Sequence, residues 1–309
     1  MEELNHAIFG ISRSIEDLRS YIPKVAASEA PVLITGETGT GKESIAANIH
    51  SMSRRRSGPF VAVNCAALPA TLFESEFFGH ERGAFTGAVM VQKGLAAAAH
   101  CGTLYLDEIG EMDMQSQAKL LRFLENGQIN RLGSTSLISS DVRVVAATNQ
   151  YLEERVDEQK FRADLFYRLN VARIELQPLR ERPEDITILI NHFIADMNSR
   201  TGLHVGEPDN ELTECLARYE WPGNVRELRN LVEAVFIDPP RGRLQVCHLP
   251  PSFRRRIAEH HYNIPDERES LIAALTLTNW NKAEAARIMK LSRMSIYRKI
   301  AKYHIPSER

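Results

Sequence analysis

One glycine-rich octapeptide constrains this chain more than any other stretch. Gly36-Glu37-Thr38-Gly39-Thr40-Gly41-Lys42-Glu43 follows the apolar run Pro31-Val-Leu-Ile-Thr35 and opens a helical pattern from Glu43 to His50. Its glycines let consecutive backbone N–H groups approach and wrap a polyphosphate, the helix N-terminus adds positive dipole, and Lys42 supplies a point charge for the outer phosphates. A bare Gly-x4-Gly-Lys match arises in about one chain in ten from composition alone. The seat between strand and helix is what makes it a P-loop. The general pattern ends in Ser or Thr, whose hydroxyl binds Mg2+; Glu43 stands in that place, which argues against a generic kinase or GTPase.

Further apolar runs follow at Phe60-Val-Ala-Val63, Thr103-Leu-Tyr-Leu106, Val142-Arg-Val-Val-Ala-Ala147 and Ala172-Arg-Ile-Glu-Leu176, with helical segments such as Gln115 to Asn126 between them. Short buried strands alternating with helices predict an α/β fold with a parallel sheet covered on both faces. The Thr103 strand ends in Asp107-Glu108. A carboxylate at a strand tip beside a P-loop is placed to hold a phosphate-bound Mg2+, and its neighbour to accept a proton from an attacking water. We therefore expect Asp107 to hold the metal and Glu108 to be the base. Asn64, Thr148 and Asn149 end their strands with polar groups that could contact the terminal phosphate, orient the water or hydrogen-bond Glu108. From Glu184 to Ile237 helical periodicity replaces the strand signal, predicting a smaller all-helical subdomain. The prolines at 239, 240, 250, 251 and 265 predict a linker over 251–267.

These motifs, with Gly83-Ala84-Phe85-Thr86-Gly87-Ala88, resemble the AAA+ ATPases that activate RNA polymerase carrying sigma-54, the bacterial enhancer-binding or NtrC family. The hexapeptide discriminates: in that family it tips a loop that touches sigma-54 in an ATP-dependent way. Two glycines flanking an aromatic suit a contact loop better than a core segment. The family's P-loop carries Glu after the lysine, as Glu43 does here. Further matches are Phe161-Arg162-Ala-Asp-Leu-Phe-Tyr-Arg168-Leu-Asn170, Pro178-Leu-Arg-Glu-Arg-Pro183-Glu-Asp185 and Trp221-Pro-Gly-Asn-Val-Arg226-Glu-Leu228. The resemblance implies that Arg162 and Arg168 reach a neighbouring subunit's nucleotide and that Arg226 is the sensor arginine of a helical lid. It implies ATP and Mg2+ as cofactors. The implied partners are the sigma-54 RNA polymerase holoenzyme, enhancer DNA, and further copies of the chain or a close paralogue in a ring, expected as a hexamer. Residues 1–250 would form the AAA+ domain, with the α/β part at about 1–175 and the lid at 176–250. A different nucleic-acid-bound client is the alternative for such a machine.

Charge separates the tail from the rest. The net charge is −2 overall, yet residues 252–309 carry +6 and residues 1–251 carry −8. A basic tail on an acidic body points to nucleic acid, and residues 268–309 resemble a Fis-type helix-turn-helix. Asn281 to Met289 would be its supporting helix and Ser292 to Lys302 its recognition helix, with Ser292 as N-cap. Ile296 and Ile300 share one face, while Arg293, Ser295, Arg298, Lys299 and Lys302 are the expected DNA contacts. With 43% apolar and 25% charged residues and no apolar run near the ~18 needed to span a bilayer, disordered, fibrous and membrane classes are excluded. A cytoplasmic location is expected. Cys65, Cys101, Cys215 and Cys247 lack metal or redox spacing and are expected as buried thiols. About five residues precede the ATPase pattern, so we expect no receiver domain in cis, as in the members acting in phage shock and type III secretion. Control would then come from a separate protein, such as a trans-acting negative regulator, or from the chain's own expression level; Arg54-Arg55-Arg56 is either a docking patch for an acidic regulator or a merely solvated basic loop.

Overall fold

In a computed structural model, which describes residues 8–85, 88–261, 267–278, 280–289, 291–303 and 305, the five apolar runs form the strands of one parallel sheet. These are β1 (Val32–Gly36), β2 (Phe60–Asn64), β3 (Thr103–Asp107), β4 (Arg143–Thr148) and β5 (Ala172–Leu176), in the order β2-β3-β4-β1-β5. The register pairs Asn64 with Asp107, Leu106 with Ala146 and Thr35 with Thr148. Gly36, Asn64, Asp107 and Thr148 therefore end at one carboxyl edge, where open parallel sheets place their ligands.

Both faces of the sheet are covered, which explains the unbroken apolar runs. On one side α1 (Arg13–Ala27) and α2 (Lys42–Met52) enclose Ile22, Ile34, Ile49, Tyr105 and Val145. On the other, α3 (Met114–Asn126), α4 (Ala163–Leu169) and the helix Ala70–Phe78 close over Leu33, Leu104, Leu106, Phe77 and Phe123. Burying each such side chain is worth about 1.5–3 kcal/mol. Arg143 is a buried cation in this unit. Its guanidinium donates to the carbonyls of Val25 (2.6 Å) and Ala26 (3.0 Å), closing the C-terminus of α1 where the helix dipole favours positive charge.

The chain divides into two compact units at Pro178/Leu179. The second contains α5 (Glu184–Thr201), α6 (Asn210–Arg218) and α7 (Asn224–Val235). It is not purely helical as expected, because Val205–Pro208 pairs in parallel with Gly242–Leu244. Strands this short, interrupted by glycine and proline, carry no readable period-two pattern. Within the stretch expected as a linker, Pro251–His261 forms α8. Phe253 and Ile257, four residues apart, are buried on one face of it.

α9 (Glu267–Leu277), α10 (Lys282–Ile288) and α11 (Arg293–Lys302) bury Leu271, Leu275, Ala285, Ile296 and Ile300 together. Asn281 caps α10 by accepting from the N–H groups of Ala283 and Glu284, and Ser292 Oγ accepts the N–H of Ser295 at the start of α11. All four cysteines are free, but Cys101 and Cys247 are exposed and only Cys65 is fully buried. The expectation of buried thiols is corrected there, since Cys101 lies on a surface turn and Cys247 on the short 3-10 helix Val246–His248. Among the described residues no helix is long and apolar enough to cross a membrane.

Candidate functional site

The P-loop leaves β1 through three left-handed or otherwise positive-φ glycines: Gly36 (φ 152°), Gly39 (82°) and Gly41 (105°). At Gly36 a β-carbon would stand 2.7 Å from the Leu176 carbonyl oxygen, so only glycine lets the loop pass β5. Thr40 Oγ1 donates to the Glu37 carbonyl (2.8 Å) and tightens the turn. Lys42, nearly buried at the first turn of α2, donates from Nζ to the carbonyls of Gly36 (2.9 Å) and Glu37 (3.3 Å). The same ammonium lies 3.7 Å from Glu108 Oε1.

Glu108 leaves β3 in a left-handed conformation (φ 50°, ψ 49°), which costs a residue with a β-carbon about 1–2 kcal/mol. Such strain concentrates at functional sites. It turns the carboxylate toward β4, where Glu108 Oε2 accepts the Asn149 backbone N–H at 3.2 Å, while Asn149 Nδ2 donates to Thr38 Oγ1 at 3.0 Å. Thr148 is buried, and its hydroxyl accepts the Gln150 N–H. Residues at the ends of β3 and β4 thus meet the P-loop that leaves β1. Asn64 departs from its expected contact. Its Oδ1 accepts from the N–H groups of Ala66 and Ala67, capping the turn after β2, and no bond to Glu108 forms among the described residues.

Asp107 Oδ1 accepts the Tyr105 hydroxyl at 3.0 Å. The sequence reading missed Tyr105, although period-two alternation puts it on the same strand face as Asp107. Among the described residues no group of three His, Cys, Asp or Glu side chains gathers to hold a metal. Mg2+ at nucleotide sites takes one or two carboxylates and completes its shell with phosphate and water, so Asp107 at the mouth of a phosphate cradle fits the ion. Close by, Cys65 is buried, and that burial with the Asp107 and Glu108 charges pushes its thiol up to about 12.

Arg162 is the N-cap of α4 and Arg168 lies in its last turn. Arg162 makes a bidentate pair with Asp164 (2.7 and 3.0 Å), and Arg168 donates to the Leu124 carbonyl (3.0 Å); both remain partly solvent-facing. Arg168 also lines an open cavity of about 450 Å³ with Glu29, Asp141 and Val171. Of the triple-arginine patch, Arg54 and Arg56 are exposed and Arg55 is half-buried. It bridges Glu29 (2.7 Å) and Asp141 (2.8 Å), so this basic residue is internally neutralised.

In the second unit, the motif around Arg226 is a rigid frame. Trp221 is fully buried with Nε1 donating to the Leu216 carbonyl, Asn224 Oδ1 accepts the Leu179 N–H at 2.7 Å, and Glu227 accepts from Gly223 N, Tyr219 Oη and Arg256 Nη1. Arg226 is exposed beside that frame, on the first turn of α7.

Of the hexapeptide, Gly83, Ala84, Phe85 and Ala88 are described; Thr86 and Gly87 lie outside the described residues. The base of the loop is closed by Gly83 N–H to the Ala88 carbonyl (2.9 Å) and Ala88 N–H to the Phe85 carbonyl (3.0 Å). Phe85 is 41% exposed, edge-on to His80 at 4.9 Å, and Val89, Met90 and Val91 extend the apolar surface. On α11, Arg293, Arg298 and Lys302 are exposed, whereas Ser295 is engaged with Ser292 and Lys299 is half-buried. Met294 and Tyr297, not singled out in the sequence, are exposed on the same helix.

Comparison with known proteins supplies the family. The model described as the sigma-54 interaction domain matches residues 8–175, an AAA+ ATPase lid domain matches 180–264, and a bacterial regulatory protein of the Fis family matches 264–303. The regulatory protein AtoC of Escherichia coli is 43% identical over 95% of this chain and 67% of its own length. The nitrogen fixation protein VnfA of Azotobacter vinelandii is 40% identical over 96% and 59%, and NtrC of Rhizobium meliloti 38% over 95% and 69%. The chain thus spans roughly 59–69% of these three relatives. Among solved structures, NtrX from Brucella abortus in complex with ATP superposes with a TM-score of 0.76 at 32% identity, over 97% of this chain and 70% of that one. A P-loop α/β unit, a lid and a Fis-type helix-turn-helix in this order place the chain in the family of sigma-54-dependent transcription activators built on an AAA+ ATPase.

Proposed function

We propose that the chain hydrolyses ATP in a ring of like subunits and uses the cycle to remodel a closed sigma-54 promoter complex, from enhancer DNA bound by its tail. The reading is carried by one observation: Lys42, Glu108 and Asn149 meet at the carboxyl edge of the sheet, with Glu108 at 3.7 Å from the lysine and 3.2 Å from the Asn149 N–H. The P-loop N–H groups of residues 37–43 wrap the phosphates, and Lys42 neutralises their charge. Glu108 orients the attacking water and accepts its proton, held in place by the Asn149 N–H. Asn149, anchored to Thr38, senses the terminal phosphate, with Thr148 behind it. Mg2+ held by Asp107 supplies electrostatic stabilisation of the charge on the transferring phosphoryl group. Asn64 ends beside Asp107 on the neighbouring strand and orders the turn that walls the site.

Arg162 and Arg168 act on the nucleotide of the adjacent subunit, and Arg226 reports its state to the lid. Such a guanidinium stabilises transition-state charge and can supply about 10³–10⁵ in rate. The segment 83–88, which carries Phe85 and Thr86 in sequence, contacts sigma-54. Arg293, Arg298 and Lys302 on α11 carry the DNA contacts, with Ser295 and Lys299 at their border. Pull-down of sigma-54 with a trapped ATP analogue, alongside a phosphate-release assay, tests the reading. Capture that needs the analogue and is lost in Phe85→Ala supports it; steady hydrolysis with no capture of sigma-54 refutes the client.

A further inference from the structure

β3 sends Thr103, Tyr105 and Asp107 to one side of the sheet, beneath α2. That row is tied together. His50, near the end of α2, sits with Nδ1 2.9 Å from Thr103 Oγ1, and its ring meets Phe60 at 5.4 Å. Phe60 stacks on Tyr105 at 5.9 Å with 17° between the planes. Tyr105 is 1% exposed. Its ring has two torsions, both fixed by this packing, so its hydroxyl is a donor at a fixed point, 3.0 Å from Asp107 Oδ1. A phenol is protonated at every physiological pH, so the hydroxyl stays a donor.

A carboxylate at a strand tip turns easily, because the last torsion of an aspartate is broad and roughly two-fold. Metal binding must then freeze it. The P-loop raises the demand on that carboxylate, since Glu43 occupies the position where the general pattern offers a hydroxyl to the ion. Phenylalanine at 105 would fill the same core space, so packing alone does not call for a hydroxyl there.

We infer that Tyr105 is a positioning residue for the nucleotide-bound divalent cation: its hydroxyl holds Asp107 Oδ1 and leaves the other carboxylate oxygen oriented for the ion. The inference rests on reading Asp107 as the metal-holding residue. Tyr105 touches neither nucleotide nor metal, and acts through Asp107 alone.

The test compares full-length protein with Tyr105→Phe and Asp107→Ala, using Mn2+ as a paramagnetic probe titrated into the ADP complex. Tyr105→Phe is expected to weaken Mn2+ binding about 5- to 10-fold, the scale of one ordinary net hydrogen bond. ADP affinity measured with chelator, and kcat at saturating Mg2+, should stay unchanged, while the Mg2+ concentration for half-maximal turnover rises. Unchanged or tighter Mn2+ binding in Tyr105→Phe, with Asp107→Ala impaired, overturns the role of Tyr105. A parallel loss of metal-free ADP affinity also overturns it, because that marks a packing defect. Unchanged Mn2+ binding in Asp107→Ala would instead show that the reading of Asp107 itself is at fault.

Discussion

Replacing Glu108 by glutamine separates two effects that usually travel together. The substitution keeps the shape of the side chain and its bond from the Asn149 N–H, but removes the charge facing Lys42 and the capacity to accept a proton. Turnover should fall by about 10²–10⁴, the usual worth of a positioned general base, or about 2.7–5.5 kcal/mol in the barrier. Affinity should move the other way. At 3.7 Å the Lys42–Glu108 attraction is about 4.5 kcal/mol at an effective dielectric of about 20. Most of it is offset by desolvation of the two groups, leaving a net competition with phosphate for the lysine of about 1 kcal/mol. Releasing Lys42 should therefore tighten ATP binding by about 3- to 10-fold. Calorimetric titration with ATP beside a phosphate-release assay reads both quantities. A fall in affinity matching the fall in turnover would refute the division of labour, because it would make Glu108 a binding residue.

Three further outcomes follow from the same structure. Thr86→Ala should keep most ATPase activity yet fail to open sigma-54 promoters, since the loop lies outside the phosphate site; normal opening would remove the loop from the mechanism. Lys42→Ala and Arg168→Ala proteins, each inactive alone, should regain some phosphate release when co-assembled, because some interfaces then join a sound pocket to a sound arginine; no recovery despite demonstrated mixing would count against Arg168 acting in trans. With its thiol pushed up to about 12, Cys65 should resist alkylation at pH 8 while exposed Cys101 reacts, as mapped by mass spectrometry. The raised value means that this thiol favours the folded state fully below about pH 9 and loses that contribution as pH rises toward about 12.

The parallel sheet was legible because its strands are buried on both sides. Runs such as Val-Leu-Ile after Pro31 and Val-Val-Ala-Ala before Thr148 have no other use in a chain with 25% charged residues. The placement of the P-loop, Asp107 and Glu108 at strand ends was legible for the same reason, since parallel strands open their ligand crevice at one edge. Pairings across long sequence distances were not. Arg55 gave no sign of meeting Asp141, 86 residues away, and a triple arginine on paper looks like a free basic patch. Asn64 looked poised to reach across to Glu108, but the two N–H groups that follow it in sequence compete for its oxygen and win by proximity. The helix Pro251–His261 hid behind its charge, with Phe253 and Ile257 the lone apolar pair on an otherwise basic stretch.

The central claim is that hydrolysis by this chain drives opening of a sigma-54 promoter, and in vitro transcription tests it most directly. Purified chain, sigma-54 RNA polymerase and a supercoiled template with an upstream site are combined with ATP or with a non-hydrolysable analogue. Transcripts should appear with ATP alone, and disappear in Glu108→Gln although that protein still binds nucleotide. Transcription equal in the analogue, or undiminished in Glu108→Gln, would contradict the account.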